Sequence, residues 1–194
     1  MVVQINLTDR QFEDIITNLL ASNTGLDPNK GEIRVAYSQN NYPSWKHTDT
    51  VVAYYLQPVN DVYGEDVIDS YQSYQKEDGE STGFDKTTTF TRVYDCIISV
   101  YGPECRSLAT IISKSFLSDE NRLELSKSKI YPVPKTPPPN YVPYEFNSQW
   151  WQRADVTIQL NVLTTLTSKV EAIQSVNIKV ITKETGEKDV NITS

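Results

Sequence analysis

The side chains of this chain that could perform acid–base, nucleophilic or metal chemistry are few and far apart. His47 is the single histidine, and Cys96 and Cys105 are the two cysteines. A histidine general base needs a nucleophile and an orienting partner in reach. With Trp45 and Lys46 beside it, His47 reads as part of a surface turn instead. Positions 47, 96 and 105 lack the paired spacing with which Cys and His ligands converge on zinc. The glycines at 25, 31, 64, 79, 83, 102 and 186 build no phosphate-cradling motif of the dinucleotide or mononucleotide type. Glu65 and Asp66 are neighbouring acids, but in residues 61–85 eight acids face Lys76 alone, which marks a solvated loop rather than a glycosidase pair. No catalytic set, metal site or cofactor is expected, and the two cysteines are expected to be buried free thiols.

Binding chemistry is better represented. Trp150 and Trp151 stand together at the head of a segment that alternates apolar and polar residues. Ala154, Val156, Ile158, Leu160 and Val162 fall on one parity and Arg153, Asp155, Thr157, Gln159 and Asn161 on the other, the pattern of a strand with one buried face. Successive strand side chains point to opposite sides, so the two indoles cannot both enter the same core. Covering an indole removes roughly 150–250 Å² from water, worth about 4–6 kcal/mol, so the second ring points to an interface. Twelve tyrosines and three tryptophans also admit a rival reading, an aromatic-rich carbohydrate-binding module.

The elements that must position these residues follow from periodicity. Thr8 with Gln11 has the form of a capping box, and Phe12, Ile15, Ile16, Leu19 and Leu20 continue at helical spacing toward a stop at Gly25. Strands are predicted at 33–37 and 50–57, separated by a turn-rich stretch with Asn40, Asn41, Pro43 and Ser44. The second strand is apolar on both faces and so central to its sheet. Residues 60–86 predict an acidic long hairpin or flexible loop, and 88–101 a long strand. Pro103 is expected at the first position of a helix with Leu108, Ile111, Ile112 and Phe116 as its stripe, followed by a short helix at 119–126. Six prolines between 132 and 143 predict an extended, largely unpaired link between sheet elements across 132–145. A strand is expected over 153–167, and residues 168–194 read as a C-terminal β extension, with strands at 170–181 and 190–192 turning through Thr185 and Gly186. Together these predict one domain over 1–194, an α+β fold with an antiparallel or mixed sheet, helices on one face and long projecting strands.

The totals set the outer limits. A net charge of −7 with no basic cluster argues against a direct grip on nucleic acid. The sequence carries no apolar run long enough for a membrane span and no signal-like N-terminal segment, which points to folding in a cytoplasm.

Several motifs then carry a family likeness. Pro43-Ser44-Trp45-Lys46, Leu56-Gln57-Pro58-Val59-Asn60-Asp61, Thr91-Arg92-Val93-Tyr94, Val100-Tyr101-Gly102-Pro103 and the stretch from Glu145 through Trp150-Trp151-Gln152-Arg153-Ala154-Asp155 occur in an order and spacing that resemble the bacteriophage neck proteins similar to tail terminators. The match spans residues 15–162, its last motif is the most specific, and it departs at 68–86 and after Thr167. The resemblance implies a non-enzymatic virion protein, assembled in the bacterial host cytoplasm. Its subunits would join head to tail in a ring, a hexamer by family habit, between the tail tube protein and the head-side connector or adaptor, with a tail-sheath contact also admitted. DNA would pass through the lumen without specific binding, which a net negative protein suits. Trp45, Tyr101, Trp150, Trp151 and Arg153 are the expected interface residues, with Trp151 and Arg153 touching the neighbouring subunit or stabilising the strand mouth. Another neck or tail-completion ring is the alternative within the virion.

Overall fold

The computed structural model describes residues 4–37, 42–75, 82–146, 148–171, 175–182 and 186–193. In chain order the elements are β1 (Gln4–Ile5), α1 (Asp9–Thr24), β2 (Ile33–Val35), β3 (Val51–Val59), β4 (Val67–Gln75), β5 (Thr82–Tyr101), α2 (Cys105–Ser115), α3 (Asp119–Lys127), β6 (Ile130–Pro132), β7 (Asn140–Tyr141), β8 (Tyr144–Phe146), β9 (Gln149–Trp151), β10 (Arg153–Glu171), β11 (Ser175–Thr182) and β12 (Gly186–Thr193). The main sheet runs β1-β10-β5-β3-β2, with β4 also on β5 and with β6 and β7 also on β10. β2 and β3 pair in parallel, whereas β10 pairs antiparallel with β1, β6 and β7 and β3 antiparallel with β5, so the sheet is mixed and the fold is α+β, as the pattern predicted.

Local chemistry explains why the helices begin and end where they do. At the start of α1 the Gln11 N–H donates to Thr8 Oγ1 at 3.3 Å and the Thr8 N–H donates to Gln11 Oε1 at 2.9 Å, which satisfies two donors that the first turn leaves unpaired. Gly25 closes the helix in the left-handed region at φ 72° and donates its N–H to Ala21 O. Phe12, Ile16, Leu19 and Leu20 are buried along one stripe. In α2 the expectation for Pro103 is corrected: Pro103 lies in the preceding turn, and the helix starts at Cys105 with Glu104 as its N-cap. The reason lies one residue earlier, where Gly102 bonds both ways, donating its N–H to Gln152 O and accepting from Cys105 N–H, so the chain is still turning at Pro103. The stripe is corrected as well, since Ile111 is 46% exposed and Ala109 and Cys105 take the buried positions beside Leu108, Ile112 and Phe116. Ser118 caps α3, which ends one residue beyond the expected limit.

Residues 6–67 and 89–164 make one compact unit. One apolar cluster fills it, built from the α1 and α2 stripes, Leu125 of α3, and the even-numbered face of β5 and β10. On β10 the alternation is literal, with Ala154, Val156, Ile158, Leu160 and Val162 buried and the odd positions between them partly covered. β3 lies between β5 and β2, and Val51, Val52 and Tyr54 are buried. The buried Tyr54 hydroxyl donates to Glu13 O at 2.7 Å and meets Thr17 Oγ1 at 2.7 Å, tying β3 to α1. The proline-rich link is paired at both ends rather than free, through β6 opposite residues 160–162 and β7 opposite 154–155 of β10. Proline tolerates this because Pro132 closes β6 at a sheet edge, where a missing N–H costs no bond.

Residues 1–5, 68–88 and 165–194 make a second compact unit. In it β1 pairs with Leu166 and Thr167 of β10, and Lys86 bridges to Asp69 at 2.9 Å while the Thr88 hydroxyl donates to the same carboxylate. β11 and β12 form an antiparallel hairpin from Ser175↔Thr193 to Thr182↔Gly186. Val170 belongs to β10 rather than to a tail strand, because that strand runs four residues beyond Thr167, and β5 likewise begins six residues before Thr88. The polar alternation in both stretches hides their strand character from an apolar pattern. The expected turns at Asn40–Asn41 and Thr185, and the acidic residues 77–80, lie outside the described residues.

Candidate interaction surface

The side chains singled out for binding meet at one end of the sheet, where β5 ends and β10 begins. β8 and β9 form a separate short hairpin in which Tyr144 faces Trp151 and Glu145 faces Trp150, turning at Ser148 with φ 59°. The pleat therefore sends the two indoles to opposite sides. Trp151 packs inward, 6.3 Å from the Tyr144 ring in a stacked arrangement and 6.3 Å from Trp45 edge to face. The His47 ring lies 6.2 Å from Trp151, also edge to face. Trp150 is 69% exposed.

Tyr101 joins Trp45 at 5.9 Å and Tyr144 at 6.0 Å, so the loop carrying Trp45, the end of β5 and the β8–β9 hairpin share one aromatic cluster. Two guanidiniums bracket it. Arg153 sits 5.7 Å over Tyr101 and donates through Nε to Asp155 Oδ1 at 2.7 Å, the oxygen that Ser99 also bonds at 2.7 Å. Burial works against the Arg153 charge, but the Asp155 bond prevails and holds its pKa above the usual value. Arg34, 8% exposed, lies 4.4 Å over Trp45 and 5.4 Å over Tyr42 and donates to Gly31 O. Burial lowers its pKa, and the ring faces supply the charge compensation that a carboxylate would supply elsewhere. Burial also raises the Tyr144 phenol, with Tyr101 adding to the effect.

His47 contacts an indole rather than a nucleophile, and no group of three or more His, Cys, Asp or Glu side chains that could hold a metal occurs among the described residues. Beside the cluster a pocket of about 470 Å³ is lined by Cys105, Arg106, Tyr141, Pro143, Gln152 and Arg153, with Arg106 5.0 Å over the Tyr141 ring. Trp45, Tyr101, Trp151 and Arg153 are thus brought together, whereas Trp150 stands apart on the outer face. Arg34, Tyr144, His47 and Asp155 complete the cluster and were missed. Tyr144 had a readable signal, since a hairpin turning at Ser148 sets it opposite Trp151.

The sheet end thus combines aromatic and cationic faces with an indole, Trp150, that is 69% exposed. A sequence model of phage neck terminator proteins matches residues 9–187. The chain belongs to that family. Its members are structural proteins of the phage neck, and the matched range reaches beyond residues 15–162 on both sides. Among curated proteins no relative matches it. No helix among the described residues is long and apolar enough to cross a membrane.

Proposed function

We propose that this protein is the subunit of a closed ring, a hexamer, that caps the tail tube and joins it to the head-side connector, leaving a channel through which DNA passes. Family membership supports a place in the neck. The observation that carries the assembly reading is Trp150: a rigid indole 69% exposed, held outward by a hairpin whose other indole is locked into the aromatic cluster. An aromatic ring fixed in that way loses little conformational freedom on contact, which is what an interface anchor requires. In this reading Trp150 meets a neighbouring subunit or virion protein, Trp151, Trp45 and Tyr101 hold the mouth that presents it, and Arg153 fastens that mouth to β10. The overall charge of −7 keeps the lumen from gripping DNA.

Negative-stain electron microscopy of the purified protein tests the proposal. Rings with a central hole, and caps on isolated tail tubes, are expected. A protein that stays monomeric at tens of micromolar and leaves tubes uncapped refutes it.

A further inference from the structure

The aromatic end of the sheet has a chemically opposite counterpart. β3 pairs with β5 from Val51↔Tyr101 to Val59↔Val93, so the two ends of this pairing are eight residues apart, about 27 Å at ~3.4 Å per residue. The Tyr101 end carries the pocket in which Arg106 and Arg153 converge. Arg153 is shared with Asp155, whereas Arg106 is exposed and makes no ion pair with a described residue. At the Val59 end the chain leaves β3 into residues 60–66, where Val62 is 74% exposed and Glu65 and Asp66 are exposed, and where Val67, opening β4, is 58% exposed. Arg92, which lines a pocket with Asn60, Asp61, Gly64 and Glu65 of that loop, is committed to Asp9, Thr164 and the Leu7 carbonyl. The loop is therefore acidic and apolar, and the pocket is cationic and aromatic.

We propose that the Val62–Val67 loop of one copy seats in the Arg106 pocket of a second copy, with Glu65 and Asp66 against the guanidiniums and a valine on the Tyr141 ring. This deepens the ring reading and rests on it. The separation along β3 prevents a loop from reaching the pocket of its own unit, so the contact forms in trans. Joining two unlike surfaces makes the interface heterologous, the type that closes into a ring when the rotation allows. Opposite charge sets the register of the contact and excludes loop-to-loop or pocket-to-pocket pairing.

Reversing the charges tests the contact at exposed positions that leave the core untouched. Arg106→Glu and Asp66→Arg are each expected to lower self-association at least tenfold by sedimentation velocity, with the circular dichroism unchanged. The double variant Arg106→Glu/Asp66→Arg is expected to regain wild-type assembly, as is an equimolar mixture of the two single variants, in which every pocket again meets an opposite loop. Wild-type rings together with single variants that assemble normally, or with no recovery in the double variant, overturn this contact and leave the ring reading standing. A wild-type protein that never assembles removes both.

Discussion

The neighbouring tryptophans give the sharpest test of the architecture, because Trp150→Ala and Trp151→Ala should act on different quantities. Truncating Trp151 uncovers the faces of Trp45, His47 and Tyr144. Of the ~150–250 Å² an indole offers, roughly 100–150 Å² is covered at a half-buried position, worth about 3 kcal/mol at ~25 cal/mol/Å². For a chain of 194 residues, at roughly 2–4 °C per kcal/mol, that lowers the melting temperature by about 6–12 °C. Trp150, 69% exposed, has about a third of its surface to lose, and compact unfolded states discount that further, so its truncation should cost about 1 kcal/mol or less. In assembly the order reverses, with Trp150→Ala weakening ring formation while leaving the monomer near wild-type stability. Urea melts followed by far-ultraviolet circular dichroism, at concentrations where the protein is dissociated, measure the first quantity, and sedimentation velocity measures the second. If Trp150→Ala destabilises the dissociated chain as much as Trp151→Ala does, the assignment of inner and outer faces is wrong.

Three further outcomes follow from single contacts. Gly102 has φ 104°, and a Cβ there would meet Asp49 O at 2.5 Å and Thr50 Cα at 3.0 Å, so Gly102→Ala should cost about 1–3 kcal/mol in a thermal melt, and an unchanged melting temperature counts against the turn. Arg92 donates to Thr164, Leu7 O and Asp9; since Asp9 is 84% exposed on its side chain, the loss on Arg92→Ala comes from the first two partners and should be about 2 kcal/mol, nearly independent of salt between low and high ionic strength. Tyr54 and Cys96 have pKa values raised first of all by burial, so the unfolded chain ionises before the folded one. Their contribution is complete below about pH 8.5 and is lost as pH climbs toward the folded values, so stability should fall steadily above about pH 9, and Tyr54→Phe should be less stable near neutrality yet show a shallower alkaline decline; an identical alkaline limb in both proteins excludes the tyrosine as its source.

The sequence exposed those features whose determinants are local. The capping box at Thr8, the Gly25 stop and the period-two pattern of β10 are all legible, because each is set by residues a few positions apart. Pro103 misled because proline favours the first helical turn in general, while here Gly102 is bonded to Gln152, about fifty residues away, and that bond delays the helix. Ile111 misled because helical spacing says which residues share a stripe but not how wide a stripe the sheet covers. The polar starts and ends of β5 and β10 were missed for a related reason: pairing partners, not apolar content, make them strands. The site divides in the same way. Opposed directions for Trp150 and Trp151 follow from the pleat alone, yet the meeting of Trp151 with Trp45 spans more than a hundred residues, and Arg34 joins only because β2 lies parallel beside β3 at the sheet edge.

The short β8–β9 hairpin explains why fold and assembly should be coupled at this end of the molecule. Three residue pairs, from Tyr144↔Trp151 to Phe146↔Gln149, are too few to hold a two-stranded ribbon in water unaided. What holds it is its inner face: the Tyr144 and Trp151 rings on each other, Tyr144 against Tyr101 at the end of β5, and Trp151 against Trp45 in the loop between β2 and β3. The outer face, with Trp150 opposite Glu145, inherits its position from that support. An exposed indole on a loose ribbon would have to be ordered at each encounter, at about 0.5–1.5 kcal/mol for the side chain and more for the backbone, whereas here that ordering has been met by folding. Loss of Trp151 should then weaken assembly without Trp151 touching the neighbouring subunit, and the effect of truncating both indoles on assembly should fall short of the sum of the two separate effects, since Trp150 has little left to contribute once the ribbon beneath it is loose.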